Sequence, residues 1–237
     1  MTGLLREARL SRSSLDYNVS VILANHAATD VVADVRADAY GHGLSAVVAA
    51  LAEHGIRQFR VSPGISLASG LEAVIEPGDS DVELAPYGFA SEFDPENESR
   101  SLKPVLTLVG EVVAVKQVQA GSAVSYGYTY RTEHDTAIAL VGLGYSDGIP
   151  RLGSSTAHAS HSGTQAVIAG RIAMDQFVLD LDRRSAEVGD EVTVWGDPET
   201  GVPALRDWAA ISRRMRQHLT AGLGPRVIRT WNEGPQS

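Results

Sequence analysis

The chain has 237 residues, enough to bury a core in one large domain or two modest ones. A formal charge of −9 and a pI near 5.2 speak against a nucleic-acid or anionic-membrane partner. With no cysteine there is neither a disulfide framework nor a thiolate metal site, and no metal is expected.

The opening MTGLLREARLSRSSLDYN carries arginines and acids rather than a signal-peptide core, and no run reaches the roughly 18 apolar residues of a membrane span, so a cytoplasmic protein is expected. Ser14 to Ala28 places Leu15, Val19, Ile22 and Leu23 at helical spacing behind Ser13 or Ser14 as N-cap. Val31 to Val35 reads as a strand, Asp38 to Gly43 as a polar loop, and Leu44 to Glu53 as a helix stopped by Gly55. Ile56 to Val61 is a second strand, and Ser62-Pro63-Gly64-Ile65 a turn. Leu67 to Ile75 reads as a short helix, Val82 to Ala85 as a strand, and Ser91 to Lys103 as a polar interdomain linker.

From Val105 the texture turns to β. Val105 to Val118 alternates, and strands are expected at Thr136 to Leu143, Ala166 to Ile172, Gln176 to Leu181 and Glu191 to Trp195. Leu205 to Leu219 reads as one helix and Pro225 to Trp231 as a last strand. The expected fold class is α+β, with βα units in residues 1–101 and a mostly-β domain in residues 102–237.

The stretch VVADVRADAYGHG, Val31 to Gly43, is where chemistry concentrates. In a strand–loop–helix unit the end of the strand and the loop after it usually carry the ligand chemistry. Here those positions hold Arg36, Asp38, Tyr40 and His42, with Gly41 and Gly43 permitting close backbone approach. Read alone, this is a βα turn of barrel or Rossmann type with a small pocket for an anion. It also resembles the signature of alanine racemases, a strand ending in lysine followed by Ala-Asp/Asn-Ala-Tyr-Gly-His-Gly. In that family the lysine holds pyridoxal 5′-phosphate (PLP) as a Schiff base and the tyrosine contacts the cofactor phosphate. The resemblance puts Tyr40 at the cofactor-binding tyrosine and Arg36 at the lysine position.

Four further segments resemble the same family in the same order. Val124-Ser125-Tyr126-Gly127-Tyr128-Thr129-Tyr130 is similar to the segment of its catalytic tyrosine, and Gly144-Tyr145-Ser146-Asp147-Gly148-Ile149-Pro150-Arg151 to its Gly-Tyr-Ala/Ser-Asp-Gly element. Gly170-Arg171-Ile172-Ala173-Met174-Asp175-Gln176 and Gly224-Pro225-Arg226-Val227 resemble the remaining two. Carried over, the resemblance implies a catalytic Tyr126, and Tyr145, Met174 and Asp175 as substrate-binding residues. In the family these groups reach across a head-to-tail homodimer. Racemisation takes a proton from one face of the α-carbon and returns one to the other, so two bases must flank a carbanion that an electron sink stabilises.

Two departures cut against that chemistry. Guanidinium stays protonated, so Arg36 is expected to be non-functional as aldehyde ligand and as base. The only lysines are Lys103 and Lys116, against eighteen arginines. A full (β/α)₈ barrel takes about 250 residues, whereas 104 precede Val105, so the barrel is expected to be truncated to two or three βα units. The family's Gly-Ile segment at the phosphate has two placements: Ser62-Pro63-Gly64-Ile65, which keeps Gly64 and Ile65, or Asp81-Val82-Glu83-Leu84 ahead of Pro86-Tyr87-Gly88.

The leading reading is a degenerate alanine-racemase-like protein with no covalent cofactor, PLP at most weakly held, and conventional racemase activity absent or very low. Its role would be structural or regulatory, as a head-to-tail homo-oligomer or beside a full-length racemase. A second reading is an active racemase interconverting L- and D-alanine, with Lys103 or Lys116 as the amine or with Tyr126 and His42 as cofactor-free bases. A third is a non-catalytic small-anion or amino-acid binding module built on Arg36, Tyr40, Gly64 and Ile65.

Overall fold

Ser11 opens the first helix: its hydroxyl accepts the Ser14 N–H at 3.1 Å. The helix therefore runs Arg12–Leu23 and stops five residues short of the predicted Ala28. The computed structural model describes residues 4–75, 85–89 and 102–232. Its contacts divide it into two units, Met1–Arg9 with Thr107–Thr230, and Leu10–Leu106 with Trp231–Ser237.

The second of these units carries the βα elements. Strands β2 (Val32–Asp34), β3 (Gln58–Arg60) and β4 (Glu72–Val74) form a parallel sheet in the order β2-β3-β4. Helix Leu44–Glu53 follows the sequence expectation. Leu15 and Val19, Val31 and Ala33, Val47 and Leu51, and Ile56 and Phe59 are all buried, the two-sided burial expected of parallel strands. The helix predicted over Leu67 to Ile75 is instead the turn into β4. Glu72, Ala73 and Val74 pair with Gln58, Phe59 and Arg60, and this neighbour outweighs a weak local preference. The strand expected at 82–85 and the linker at 91–103 fall largely outside the described residues.

The other unit is built on an eight-stranded sheet in the order β10-β9-β12-β5-β1-β13, with β8 pairing β5 and β11 pairing β8. Its axis is β5 (Leu106–Val118), long enough to pair first with β12 (Glu191–Trp195) and then with β8 (Thr136–Val141). A register shift between Val112 and Ala114 marks the change of partner. β11 (Phe177–Asp180) lies against β8, and β9 (His158–His161) and β10 (Thr164–Val167) form a hairpin; the single strand expected at Ala166 to Ile172 overlaps only the end of β10, and β9 was not foreseen. β1 (Arg6–Ser11) was not signalled, while β13 (Ile228–Asn232) was. A two-strand ribbon, β6 (Ala123–Val124) with β7 (Tyr130–Arg131), presents the tyrosine-rich loop.

The single helix predicted over Leu205 to Leu219 is two, Leu205–Ser212 and Arg216–Ala221. Arg213 adopts a left-handed conformation at φ 53°, which ends the first helix without a glycine. Trp208 packs edge-on against Trp195 at 5.7 Å and donates its Nε1–H to the Val194 carbonyl at 2.9 Å, fixing the first helix on the sheet. No helix of the described residues is long and apolar enough to cross a membrane.

Candidate functional site

β2 ends at Asp34, and the chain then turns against the preference of L-residues. Ala37, Asp38, Ala39 and Tyr40 all sit at φ 51–56° and ψ 40–48°, one complete left-handed turn where a plain loop was expected. Each such residue costs roughly 1–2 kcal/mol, and backbone of this kind persists only where its surroundings over-determine it. Those surroundings are visible. Ala39 N–H bonds the Val35 carbonyl at 3.0 Å and Gly43 N–H the Asp38 carbonyl at 3.0 Å. Leu44 N–H bonds the Asp38 carboxylate at 2.8 Å.

A turn of this hand brings residues 36 and 40 to the same side, over Asp34. The Arg36 backbone N–H reaches Asp34 Oδ1 at 3.1 Å, its Nε–H lies 2.9 and 3.1 Å from the two oxygens, and its Nη2–H donates at 2.5 Å. Tyr40 adds its hydroxyl at 2.7 Å. Asp34 is only 2% exposed. Burial pushes its carboxyl up, but the donors from Arg36 and Tyr40 outweigh that and hold it below the usual carboxylate range. The Tyr40 phenol is pushed up to about 12 by burial and by its bond to Asp34, and the same carboxylate makes Arg36 hold its proton still more firmly.

Tyr87 closes the strand end from behind. Its hydroxyl donates to the Asp34 carbonyl at 2.7 Å, and its ring lies 5.9 Å from Tyr40 and 4.8 Å from His42. His42 is fully buried, with Nδ1 2.9 Å from the Ala39 carbonyl, so it packs and braces the turn. Gly64 and Ile65 stand apart from this cluster among the described residues: nothing lies within 4 Å of a Cβ built on Gly64, and the Ile65 N–H turns back to the Ser62 carbonyl at 3.2 Å.

In the β-rich unit, three of the quoted segments interlock around Asp147, whose side chain is fully buried. Asp147 accepts the Gly144 N–H at 2.9 Å and Arg226 Nε–H at 3.0 Å, with Arg6 Nε at 3.5 Å. Arg226 also reaches Asp175 at 2.7 Å, and Ser146 donates its hydroxyl to the Met174 carbonyl at 2.7 Å. A Cβ on Gly144 would stand 2.3 Å from the Met174 carbonyl, so only glycine permits this approach. Asp175 is thus engaged by Arg226, which holds its carboxyl below the usual range.

The tyrosines stand outward. Tyr126 is 81% exposed, Met174 53% and Tyr145 43%. The Arg171 guanidinium lies 5.9 Å from the Tyr126 ring centre and that of Arg151 5.4 Å from Tyr145, each a cation–π distance. Ser125 binds the Arg171 carbonyl through its hydroxyl at 2.6 Å, which ties the tyrosine loop to the methionine segment. Sequence reasoning gave no role to Arg151, Arg171 or Asp34. The first two lie inside quoted motifs, so a cation carried in the same motif set as each tyrosine was the available signal.

A parallel βα sheet of three strands among the described residues, with an arginine at one strand end, and a β-rich domain displaying tyrosines beside arginines define a two-part α+β protein. The family models point the same way: the one for the alanine racemase N-terminal domain matches residues 10–64, and the one for the C-terminal domain matches residues 105–231. The chain belongs to the alanine racemase family.

The alanine racemase of Streptomyces coelicolor is 42% identical over 130 residues, covering 55% of this chain and 33% of that protein. Eight curated alanine racemases, from that of Streptomyces coelicolor to that of Mycolicibacterium smegmatis, are matched over 33% to 48% of their length, so the chain spans less than half of each. Among solved structures, alanine racemase from D-cycloserine-producing Streptomyces lavendulae aligns with a TM-score of 0.81 at 23% identity over 99% of this chain and 98% of that one. A Bartonella henselae alanine racemase with covalently bound pyridoxal phosphate aligns with a TM-score of 0.81 at 15% identity, over 97% of this chain and 100% of that one. At such identities these two structures speak to the fold.

Proposed function

We propose that this chain is a degenerate member of its family, without conventional PLP-dependent racemase activity, and that it serves as a structural or regulatory partner. The observation that carries this reading is the closed triad at the end of β2. A covalently held pyridoxal phosphate, as described for the Bartonella henselae protein, does not fit these groups. Arg36 offers no amine, and both Arg36 and Tyr40 already donate to Asp34. Lys103 and Lys116 are both exposed, and the Lys103 ammonium rests 4.7 Å from the Tyr17 ring centre. Neither occupies the kind of buried site that turns lysine into a nucleophile.

The experiment is incubation of the purified chain with PLP, borohydride reduction, and mass measurement, alongside an assay for exchange between the alanine enantiomers. No adduct beyond the non-specific labelling of exposed Lys103 and Lys116, which excess free lysine competes away, and no exchange are expected, and Arg36→Lys alone is expected to restore no racemisation. Racemisation by the unmodified chain would overturn the reading. The name shared by its relatives favours a second reading, an active racemase, and the same assay decides between the two.

The partner role rests on surfaces. Among the described residues β2 and β4 are the edges of the parallel sheet, and Glu72 and Ala73 of β4 and the nearby Ile65 and Ile75 are exposed. A groove of about 720 Å³ runs between helix Leu44–Glu53 and residues 66–71, lined by Val48, Ala49, Ala52 and Leu71. Open edges and apolar faces of this kind normally find cover. With the family models leaving residues 65–104 unmatched between them, we read residues 1–101 as a barrel domain that has lost internal strands, and residues 102–237 as the β-domain. The chain is expected to sediment as a head-to-tail homo-oligomer at micromolar concentration, or to form a complex with a co-expressed full-length racemase. A stable monomer that captures no racemase would remove this role.

A further inference from the structure

The end of β2 holds an anion already, and the anion belongs to the chain. We infer that Asp34 is a built-in occupant of an oxyanion site formed by Arg36, Tyr40 and the left-handed turn, and that removing its charge opens this site to a small phosphate-class ligand. The inference deepens the reading of a degenerate strand end.

Three features make the cluster a receptor with its ligand in place. The donors are those that recognise phosphate or carboxylate: a guanidinium contacting both oxygens through Nε and Nη2, a backbone N–H, and a phenol. They are held by backbone that is costly to form and braced from several sides. Tyr87 fixes the Asp34 carbonyl, and the Asp38 side chain caps the following helix at Leu44 N–H. The charge balance is also local. Arg36 is half exposed while Asp34 is buried, so the carboxylate cancels the cation at the point where solvent-borne anions would meet it. Arg60, also buried, is the register partner of Asp34 on the neighbouring strand β3.

Oxyanions reaching such a site could be inorganic phosphate or a simple carboxylate. The geometry favours phosphate, because the donors arrive from a guanidinium fork, a main-chain amide and a phenol, which point at more than one oxygen.

The test is titration of inorganic phosphate, with acetate as a parallel arm, into wild type, Asp34→Asn, Asp34→Ser and the double variant Asp34→Asn/Arg36→Gln. Binding is followed by calorimetry, and folding of each protein is checked by circular dichroism. Asn keeps the shape of Asp34 and removes its charge. At least one folded single variant is expected to bind phosphate about tenfold or more tightly than wild type, the scale of one charge-assisted hydrogen bond. The gain should vanish in the double variant. Stronger binding of acetate than phosphate would reassign the ligand to carboxylates and overturn the phosphate preference. Equal phosphate binding by wild type and a folded variant, or a gain that survives loss of Arg36, would overturn the inference. Should neither single Asp34 variant fold, wild type and Arg36→Gln decide at a pH low enough to protonate Asp34: phosphate binding that appears on acidification in wild type and is missing from Arg36→Gln upholds the occupied site, and binding that is equal at both pH values overturns it. None of these outcomes depends on whether the chain racemises alanine, so this inference and the proposed function can fail separately.

Discussion

Asp147→Ala is expected to destabilise the β-rich unit by about 3 kcal/mol or more, the range found when one partner of a buried ion pair is removed. The carboxylate is fully buried between Arg226 and Arg6, whose side chains are 42% and 16% exposed. Arg226 can turn to water and keep Asp175, and Arg6 keeps its bond to the Gly142 carbonyl at 2.8 Å. That relief places the loss near the lower end of the range. What cannot relax is the Gly144 N–H, which is buried and bonds the carboxylate at 2.9 Å. Asp147→Asn keeps an acceptor for that amide and should cost about half as much. Urea unfolding followed by tryptophan fluorescence checks both variants, because Trp195 and Trp208 are buried in the same unit. A loss below about 1 kcal/mol for the alanine variant would mean that the motif segments are held by the surrounding sheet instead.

The motif segments of the β-rich unit were legible in the sequence because their order and composition resemble one family; that three of them meet on the buried Asp147 was not. Helix Leu44–Glu53 was legible for a simpler reason: its apolar spacing and flanking glycines agree with its packing. What escaped were features set by distant partners. No glycine stands within Ala37–Tyr40, so nothing local announces four left-handed residues; the turn is dictated by bonds to Asp34 and Asp38. Asp34 itself read as one more strand residue, although it decides the fate of Arg36. β4 is three residues long and exists through its pairing with β3. The periodicity of Leu205 to Leu219 is continuous through Arg213, and the break appears only in the backbone angles.

Asn18→Leu should be the most damaging change in the βα unit, costing about 3–5 kcal/mol. Asn18 is fully buried in helix Arg12–Leu23. Its Nδ2 donates to the carbonyls of Pro86 and Lys103 at 3.1 and 2.8 Å, and its Oδ1 accepts the Lys103 N–H at 2.8 Å. One side chain therefore ties the helix to two chain segments, 85–89 and 102–104, that have no strand pairing among the described residues. The contact is close, since a Cβ on Gly88 would fall 2.2 Å from the Lys103 carbonyl. Leucine fills similar volume but takes the partner from the buried Pro86 carbonyl, at about 1–3 kcal/mol, and from the part-buried Lys103 carbonyl and N–H, at less than that each and less than additively. A unit with three short strands has little stability in reserve, so the loss should surface as local opening before global unfolding. Hydrogen exchange should accelerate along Arg12–Leu23 and β2, with β8 and β11 in the other unit changing least. Uniform acceleration across both units would mean that they unfold as one, and unchanged exchange in the helix would show that Asn18 does not hold these segments together.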